Sequence, residues 1–365
     1  MNTERIFNFS AGPAVLPEIV LDEAARYLRS LPDAGMSVLE MSHRSKEVSE
    51  IFDSAVANIR TLANVPDDYH VLFLQGGATQ QFAMVPLNLL SENGSADYVI
   101  TGSWSKKALK EAQRFGSVKI VGSSEDQDFV RIPTEDELKF SSDAEYLHIT
   151  SNNTIFGTQW RSTPPVSNTS PVVVDASSDI FSRPIDVSRH GLIYAGAQKN
   201  LGPAGVTLVI VKDEVIRKKE LPERVPTMLR YATFADSASL YNTPPVFAIY
   251  IVGLVVKWLL QKGGLTAVAE SNERKAGKLY SILDSSSFYQ GTADPDSRSL
   301  MNVTFRLPNE ELEKCFLTEA TNAGLVGLKG HRSVGGLRAS IYNAFPEEGV
   351  DTLLSFMKDF ERKTG

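Results

Sequence analysis

The sequence predicts an α/β protein with a mostly parallel sheet, and three observations support that prediction. Before Gly264, short apolar runs of strand length alternate with segments of helical periodicity. Those short runs are apolar on both faces, as is typical of strands buried inside a parallel sheet. After Gly264 the order becomes helix, strand, helix, strand, helix, which is typical of a separate α+β layer. The 365 residues suffice for one large and one smaller domain.

The elements before Gly264 follow from periodicity and from breaker residues. One-sided apolar spacing predicts helices at residues 17–31, 45–63, 79–90 and 105–115. Compact apolar runs predict strands at residues 71–74, 98–101, 118–121, 146–150, 172–174, 193–195 and 206–210. A long apolar helix is predicted up to residue 260, with Thr243 as its N-cap, prolines in its first turn and Gly263 after its end.

The same criteria apply to the C-terminal part. Helices are predicted at residues 267–283, at 310–323 and from 350 onward, with strands at 301–307 and 337–342 between them. A glycine-rich loop separates the second of these helices from the last strand, and it carries His331 and Arg332.

Composition excludes several classes of protein. The net charge of −7 argues against a nucleic-acid-binding protein, which would normally have a basic surface. The single cysteine, Cys315, excludes an intrachain disulfide and fits a cytoplasmic location. No signal peptide is expected at the N-terminus, and the longest apolar stretch, residues 246–256, is too short to cross a membrane. The five histidines lack metal-ligand spacing, so we expect no metal.

The loop GLIYAGAQKNLGPAG, residues 191–205, presents one lysine, Lys199, between two apolar runs. Between His190 and Lys212 the chain has no other charged residue. An amine surrounded by small residues is a candidate for a desolvated amine of lowered pKa that forms a Schiff base with a carbonyl. A lysine on a surface hairpin loop explains the spacing equally well.

Two further residues end predicted strands and allow two interpretations each. Asp175 closes an apolar run, where a partly desolvated carboxylate needs a cation such as a protonated pyridine nitrogen. Taken alone, its position favours the other interpretation, a cap on the next turn. Trp104 follows a Gly-Ser turn, where its indole could stack on a flat ring or pack in the core.

Anion-binding elements accompany these residues. The segment Gly76-Gly77-Ala78-Thr79 joins a strand to a helix whose N-terminus could hold a phosphate. Two basic clusters, one at residues 43–44 and one at 331–338, suit a ligand with carboxylate and phosphate groups, although either alone could be solvated surface. Lysine, aspartate, tryptophan, a glycine-rich helix start and arginines are together the parts needed to hold pyridoxal 5′-phosphate (PLP).

The chain resembles the phosphoserine aminotransferase family, in the class V branch of the fold-type I enzymes that use PLP. The match runs nearly end to end, and the matching segments are FNFSAGP (7–13), MSHR (41–44), QGG (75–77), QF (81–82), VPLN (85–88), TGSWS (101–105), NT (153–154), VVDASS (173–178), YAGAQKNLGPAG (194–205), YNTPP (241–245) and His331-Arg332 with Arg338. The resemblance implies a large PLP-binding domain of residues 15–263 around a seven-stranded sheet. It implies a small domain of residues 1–14 and 264–365.

The resemblance also implies roles for individual residues. Lys199 is then the Schiff-base lysine and proton shuttle, Asp175 pairs with the ring nitrogen and Trp104 stacks on the ring. The other implied cofactor-binding residues are Ala78, Thr79, Thr154 and Gln198, together with Asn242 and Thr243 from the second subunit of a homodimer. The implied substrate-binding residues are Ser10, His43, Arg44, His331, Arg332 and Arg338.

The implied reaction is reversible transamination between O-phospho-L-serine and 2-oxoglutarate, giving 3-phosphooxypyruvate and L-glutamate in serine biosynthesis. A related pyridoxine-pathway substrate, 4-phosphohydroxy-L-threonine, stays open. One departure stands out: many bacterial members have Gly-Gly-Gly-Arg-Gly where this chain has Gly76-Gly77-Ala78-Thr79-Gln80, so that arginine is missing.

The alternatives are less well supported by the residues. A cysteine desulfurase needs a mobile nucleophilic cysteine, and Cys315 lies in the middle of a predicted helix. An aminotransferase for unphosphorylated substrates would not need the cluster at His331. A silent scaffold would have lost Lys199 or Asp175, and a nicotinamide dehydrogenase would carry a glycine fingerprint that this chain lacks.

Overall fold

A computed structural model describes residues 5–165, 170–223 and 225–365, so the predicted N-terminal stretch 1–14 is described from residue 5 onward. The helices are α1 (Glu18–Tyr27), α2 (Lys46–Ala63), α3 (Gly77–Leu89), α4 (Ser103–Ala112), α5 (Asp213–Arg217), α6 (Tyr231–Asp236), α7 (Val246–Gln261), α8 (Gly264–Ser285), α9 (Glu310–Asn322) and α10 (Glu347–Thr364). The strands are β1 (Phe7–Asn8), β2 (Tyr69–Leu74), β3 (Ser95–Ile100), β4 (Ser117–Ser123), β5 (Leu147–Thr150), β6 (Asn152–Asn153), β7 (Thr158–Gln159), β8 (Val172–Asp175), β9 (Leu192–Gly196), β10 (Thr207–Lys212), β11 (Gln290–Gly291), β12 (Asn302–Arg306), β13 (Leu325–Val326) and β14 (Leu337–Ser340).

The central sheet has seven strands in the order β2-β10-β9-β8-β5-β3-β4. Strand β10 is antiparallel to both its neighbours, and the remaining pairs are parallel. Asp175 is in register with Thr150 on one side and Tyr194 on the other. The predicted α/β class with a mostly parallel sheet is therefore confirmed, and the carboxyl ends of six strands lie at one edge of the sheet.

Helices cover both faces of this sheet because its strands are apolar on both sides. In β8, Val172 and Val174 belong to the core beneath α2 and α7, whereas Val173 belongs to the core beneath α3 and α4. This alternation is the period of two expected of a strand. Helix α7 also packs closely on α2, since a Cβ at Gly253 would lie 3.3 Å from that of Ala55.

The C-terminal part forms its own layer. Strands β11, β12 and β14 make an antiparallel sheet, and α8, α9 and α10 bury apolar faces in a third core that also takes in Phe9. The first turns of α8 belong elsewhere, because Leu265 and Val268 pack in the core beneath α2 and α7. The division of the chain at residues 14/15 and 263/264 stays a prediction.

The predicted cap of α7 is wrong. The helix begins at Val246 after Pro245, and no side-chain cap is made at this end among the described residues. Thr243 lies three residues before the helix, where its hydroxyl contacts His43 instead. Within the described ranges no single helix has the length and apolar content to cross a bilayer; α7 and α8 meet that test only as a pair bent by 84°.

Candidate active site

Most of the predicted site residues lie where the six parallel strands end. Gly76 follows β2, Trp104 lies in the first turn of α4 after β3, Thr154 follows β6, and β8 ends in Asp175. Lys199 lies in the connection between β9 and the antiparallel β10. This edge is where α/β sheets hold ligands, because the loops there leave a crevice outside the strand ends.

Lys199 is held inside this crevice, not on an open hairpin. Its Nζ donates to Thr154 Oγ1 at 2.9 Å, and its stem faces the N-terminal segment, where a Cβ at Gly12 would lie 3.4 Å from Lys199 Cγ. Burial lowers the pKa of the amine from its ordinary 10.5 to about 8. Arg338 lowers that pKa further, and Asp175 acts in the opposite direction. A lysine in this setting is partly neutral and nucleophilic near physiological pH.

Asp175 caps a turn and is also buried. Its Oδ1 accepts a hydrogen bond from the backbone N–H of Ser177 at 3.0 Å, so the carboxylate does cap the next turn. It is also only 5% exposed, and burial raises its pKa while hydrogen bonding to Ser177 and the charge of Lys199 oppose that shift. A buried carboxylate in this state is stabilised by a further cation.

Trp104 and the start of α3 form the wall beside the lysine. The Trp104 ring centroid lies 5.7 Å from Lys199 Nζ. Gly76 and Gly77 have φ of 90° and 65°, and a Cβ at Gly76 would clash with the Gln80 side chain, so glycine is required there. No side chain of the described residues caps α3, which leaves its first N–H groups, those near Ala78 and Thr79, available to an anion.

The C-terminal layer contributes Arg338 and its loop. Arg338 lies on β14, is 9% exposed, and its Nη1 donates to the Thr154 carbonyl at 3.1 Å. His331 lies close enough for Arg338 and Arg332 to lower its pKa, after the larger effect of burial. These contacts bring a cationic cluster to the Lys199 crevice.

The N-terminal segment crosses the same crevice. The backbone N–H of Ala14 donates to the Gln198 carbonyl at 2.8 Å, which holds the segment beside the lysine loop. Ser10 packs against Gly327, where a Cβ would lie 2.6 Å from the Ser10 backbone nitrogen. The segment that carries Ser10 thus passes beside Gln198 and the lysine, although it is far from both in sequence.

Four other predicted residues form a separate group. His43 Nδ1 lies 3.3 Å from Thr243 Oγ1, although the two are 200 positions apart. Arg44 is exposed beside His43, and Asn242 precedes Thr243. Among the described contacts of this chain, none links this group to Lys199.

Some of the buried polar atoms that have no partner among the described residues belong to predicted site residues. In the described part of the chain, these atoms include Trp104 Nε1, Arg338 Nε, His43 Nε2 and Asn242 Oδ1. Native proteins satisfy most buried polar groups, so orphaned ones mark places where a ligand or another chain binds. Over those same residues, no cluster of three or more His, Cys, Asp or Glu side chains could hold a metal ion.

Three residues of the site escaped the sequence analysis. The backbone N–H of Ser177 donates to Asp175, and the Ser177 hydroxyl accepts from the Gly196 N–H. The charge of buried Asp179 raises the pKa of Lys199. Ser177 and Asp179 both belong to the motif VVDASSD, where alternate polar residues after a buried strand are a usable signal. The third, Lys107, holds its Nζ 4.4 Å from the Trp104 ring centroid; its position three residues after Trp104 on a helix was the available signal.

Comparison with known proteins agrees with this geometry. The model of the Aminotransferase class-V family matches residues 6–353. A curated phosphoserine aminotransferase from Desulfosudis oleivorans is 56% identical over 365 residues, covering all of both chains. The solved structure of phosphoserine aminotransferase from Bacillus circulans subsp. alkalophilus is 50% identical with a TM-score of 0.97, covering all of both chains. The PLP-bound enzyme from Trichomonas vaginalis is 38% identical with a TM-score of 0.92, covering 97% of this chain and all of that one. The chain therefore belongs to the class-V aminotransferase family.

Proposed function

We propose that this chain is a PLP-dependent transaminase that exchanges an amino group between O-phospho-L-serine and 2-oxoglutarate. The observation that carries the proposal is the crevice in which the Lys199 amine lies 5.7 Å from the Trp104 ring centroid and within the electrostatic influence of the buried carboxylate of Asp175. Relatives at 50% identity or more over the full chain, named phosphoserine aminotransferases, supply the substrate class.

The residues of the crevice fit PLP. The uncapped start of α3, with Ala78 and Thr79, provides N–H groups for the phosphate. Trp104 offers an aromatic face, and Asp175 offers a buried negative charge for the ring nitrogen. When bound, PLP supplies the aldehyde that takes the amine and the ring that delocalises electrons released from the substrate Cα.

Three residues of the chain have separate roles in the proton transfer and in holding the lysine. The Lys199 amine has a pKa of about 8, so it can hold a proton and release it near neutral pH, as moving a proton from the substrate Cα requires. Asp175 stays ionised beside a protonated ring nitrogen, which keeps the ring electron-poor. Thr154 holds the lysine Nζ in the crevice at 2.9 Å when the amine is free.

Substrate binding falls to the basic residues. Arg338 donates to the Thr154 carbonyl and its charge acts on Lys199, so we assign it the α-carboxylate that both substrates share. The cluster of His331 and Arg332, farther out, suits the phosphate of phosphoserine and the second carboxylate of 2-oxoglutarate. We place the reaction in the reducing cytoplasm, in the direction of serine biosynthesis.

The site is completed by a second copy of the chain in this proposal. Asn242 and Thr243 are assigned to the cofactor phosphate of the partner's site, and His43 contacts Thr243, so His43 and Arg44 reach the same neighbouring site. Exposed apolar side chains lie near this group in the sequence: Met36 is 48% exposed, Leu39 is 62% exposed and Tyr241 is 51% exposed. Burying them between two copies removes an apolar patch from water.

A cysteine desulfurase is disfavoured by the setting of Cys315. The thiol is exposed on α9, outside the crevice, and its hydrogen bond to Glu319 raises its pKa. A raised pKa keeps the sulfur protonated and weakly nucleophilic. The crevice supplies a reactive amine but no thiol.

The visible spectrum of the purified holoprotein tests the proposal. We expect a yellow absorption band that bleaches when O-phospho-L-serine is added and returns when 2-oxoglutarate follows. A protein without the band, or one that responds to L-serine and not to phosphoserine, would overturn the proposal.

Subunit mixing tests the shared site. Co-expression of Lys199→Ala and Arg44→Ala chains should restore about a quarter of wild-type activity, since half of randomly paired dimers are mixed and each mixed dimer has one intact site. The two variants expressed alone serve as controls. No recovery from co-expressed chains, with mixed dimers verified by differential tags, would place Arg44 in the same subunit as Lys199.

The pH dependence of cofactor uptake reports the state of Lys199. Because the lysine must be neutral to attack the PLP aldehyde, a pKa of about 8 predicts that the uptake rate of cofactor-free protein rises to about pH 8 and then levels off. Stopped-flow absorbance between about pH 6.5 and 10 measures this rate. A rate that keeps rising to the ordinary lysine pKa of 10.5 would show an amine that burial does not perturb.

A further inference from the structure

The loop after β2 lacks the arginine that many members of the family have, so it offers no positive charge to the substrate phosphate. A phosphate monoester carries a charge of about −1.5 to −2 at neutral pH and binds best to several cations at once. The loop contributes none, since it reads Gly76-Gly77-Ala78-Thr79-Gln80. A further cation at the mouth of the same crevice would supply the charge that this loop lacks.

Lys107 lies at that mouth. Helix α4 begins directly after β3 ends at the sheet edge, and residues three apart on a helix share a face. Trp104 and Lys107 therefore lie together, with Lys107 Nζ 4.4 Å from the ring centroid and Lys199 Nζ 5.7 Å from the same centroid. The two ammonium groups thus approach one indole.

Lys107 is also a cation without a counter-charge. Its neighbour Lys106 pairs with Glu125, but across the described residues no carboxylate lies within ion-pair distance of Lys107. Lys107 joins Arg332 and Arg338 in lowering the pKa of His331, so these cationic groups lie close together. Cationic side chains that lie close together without a carboxylate repel each other, and a bound anion relieves that repulsion.

We propose that Lys107 binds the phosphate group of the substrate and supplies the positive charge that the loop after β2 lacks. This inference rests on the proposed function, because it takes the substrate to be phosphorylated. Its place on a helix beside the stacking tryptophan makes Lys107 a specificity residue, which selects phosphoserine over serine without taking part in proton transfer.

The test compares Lys107→Gln with Lys110→Gln, a matched change at an exposed lysine one turn along α4. Steady-state kinetics with O-phospho-L-serine and with L-serine give the preference for the phosphorylated substrate. We expect Lys107→Gln to reduce that preference about 10- to 100-fold, mainly through the KM for phosphoserine. Lys110→Gln should match the wild type, and Lys107→Arg should retain most of the preference.

The outcomes separate this inference from the proposed function. If wild-type protein transaminates phosphoserine but Lys107→Gln has an unchanged preference, or loses activity equally on both substrates, Lys107 does not contact the phosphate. If wild-type protein fails to use phosphoserine at all, the proposed function falls and this inference falls with it.

Discussion

Lys199→Ala is expected to reduce transamination by roughly 1000-fold or more, because it removes both the amine that bonds to the cofactor and the group that moves the Cα proton. Among the described residues the Lys199 side chain makes one hydrogen bond, to Thr154, and the side chain is only partly buried, so the variant should fold. Multiple-turnover kinetics with phosphoserine and 2-oxoglutarate measure the effect.

Two control variants separate the role of the Lys199 amine from the effect of its positive charge and from the effect of removing any lysine that lies over an indole. Lys199→Arg keeps the positive charge but supplies no neutral amine at neutral pH, so it should be as inactive as the alanine variant. Lys262→Ala removes a lysine that also lies over an indole, 5.8 Å from the Trp258 ring, and should keep full activity. Sustained turnover by Lys199→Ala would move the chemistry to another residue.

Asp175→Asn is the second change with a large expected effect. Asparagine can still accept the Ser177 N–H, so the turn after β8 is kept, but the negative charge facing the ring nitrogen is lost. Leaving a buried cation unpaired costs about 3–4 kcal/mol, equivalent to roughly a 100- to 1000-fold fall in kcat. The KM values should change much less.

Asp186→Asn is the matched control for that change. Asp186 accepts the N–H of the residue two positions later, Ser188, at 3.1 Å, in the same way that Asp175 accepts from Ser177. Asp186 is exposed and lies before β9, away from the carboxyl ends of the strands. If Asp175→Asn turns over at the rate of Asp186→Asn, the carboxylate serves only as a turn cap.

The sequence predicts the parallel strands of the fold well because each one is a compact apolar run followed by small or polar residues. The orientation of β10 could not be predicted in this way, since its run looks the same whichever direction it takes, and only pairing with β2 and β9 makes it antiparallel. Helices α5 and α6 have five and six residues, too short for a periodic signal. Thr243 looked like an N-cap because local sequence does not show that its hydroxyl meets His43, 200 positions away.

The residues of the site also fall into those that the sequence singles out and those that only the folded chain identifies. Lys199, Asp175 and Trp104 could be singled out because each ends or follows an apolar strand, and parallel strand ends share an edge. Lys107 and Ser177 were not singled out, because the weak sequence signals they carry gain meaning only from their distances to Trp104 and Asp175 in the folded chain. Likewise, the separation of His43 and Thr243 from the lysine crevice is a property of the folded chain.

Reductive trapping tests the central claim most directly. Holoprotein treated with borohydride and digested should yield one peptide in which a reduced PLP adduct is fixed to the ε-nitrogen of Lys199. Label on a different lysine, or no label in protein that still shows the yellow band, would contradict the account.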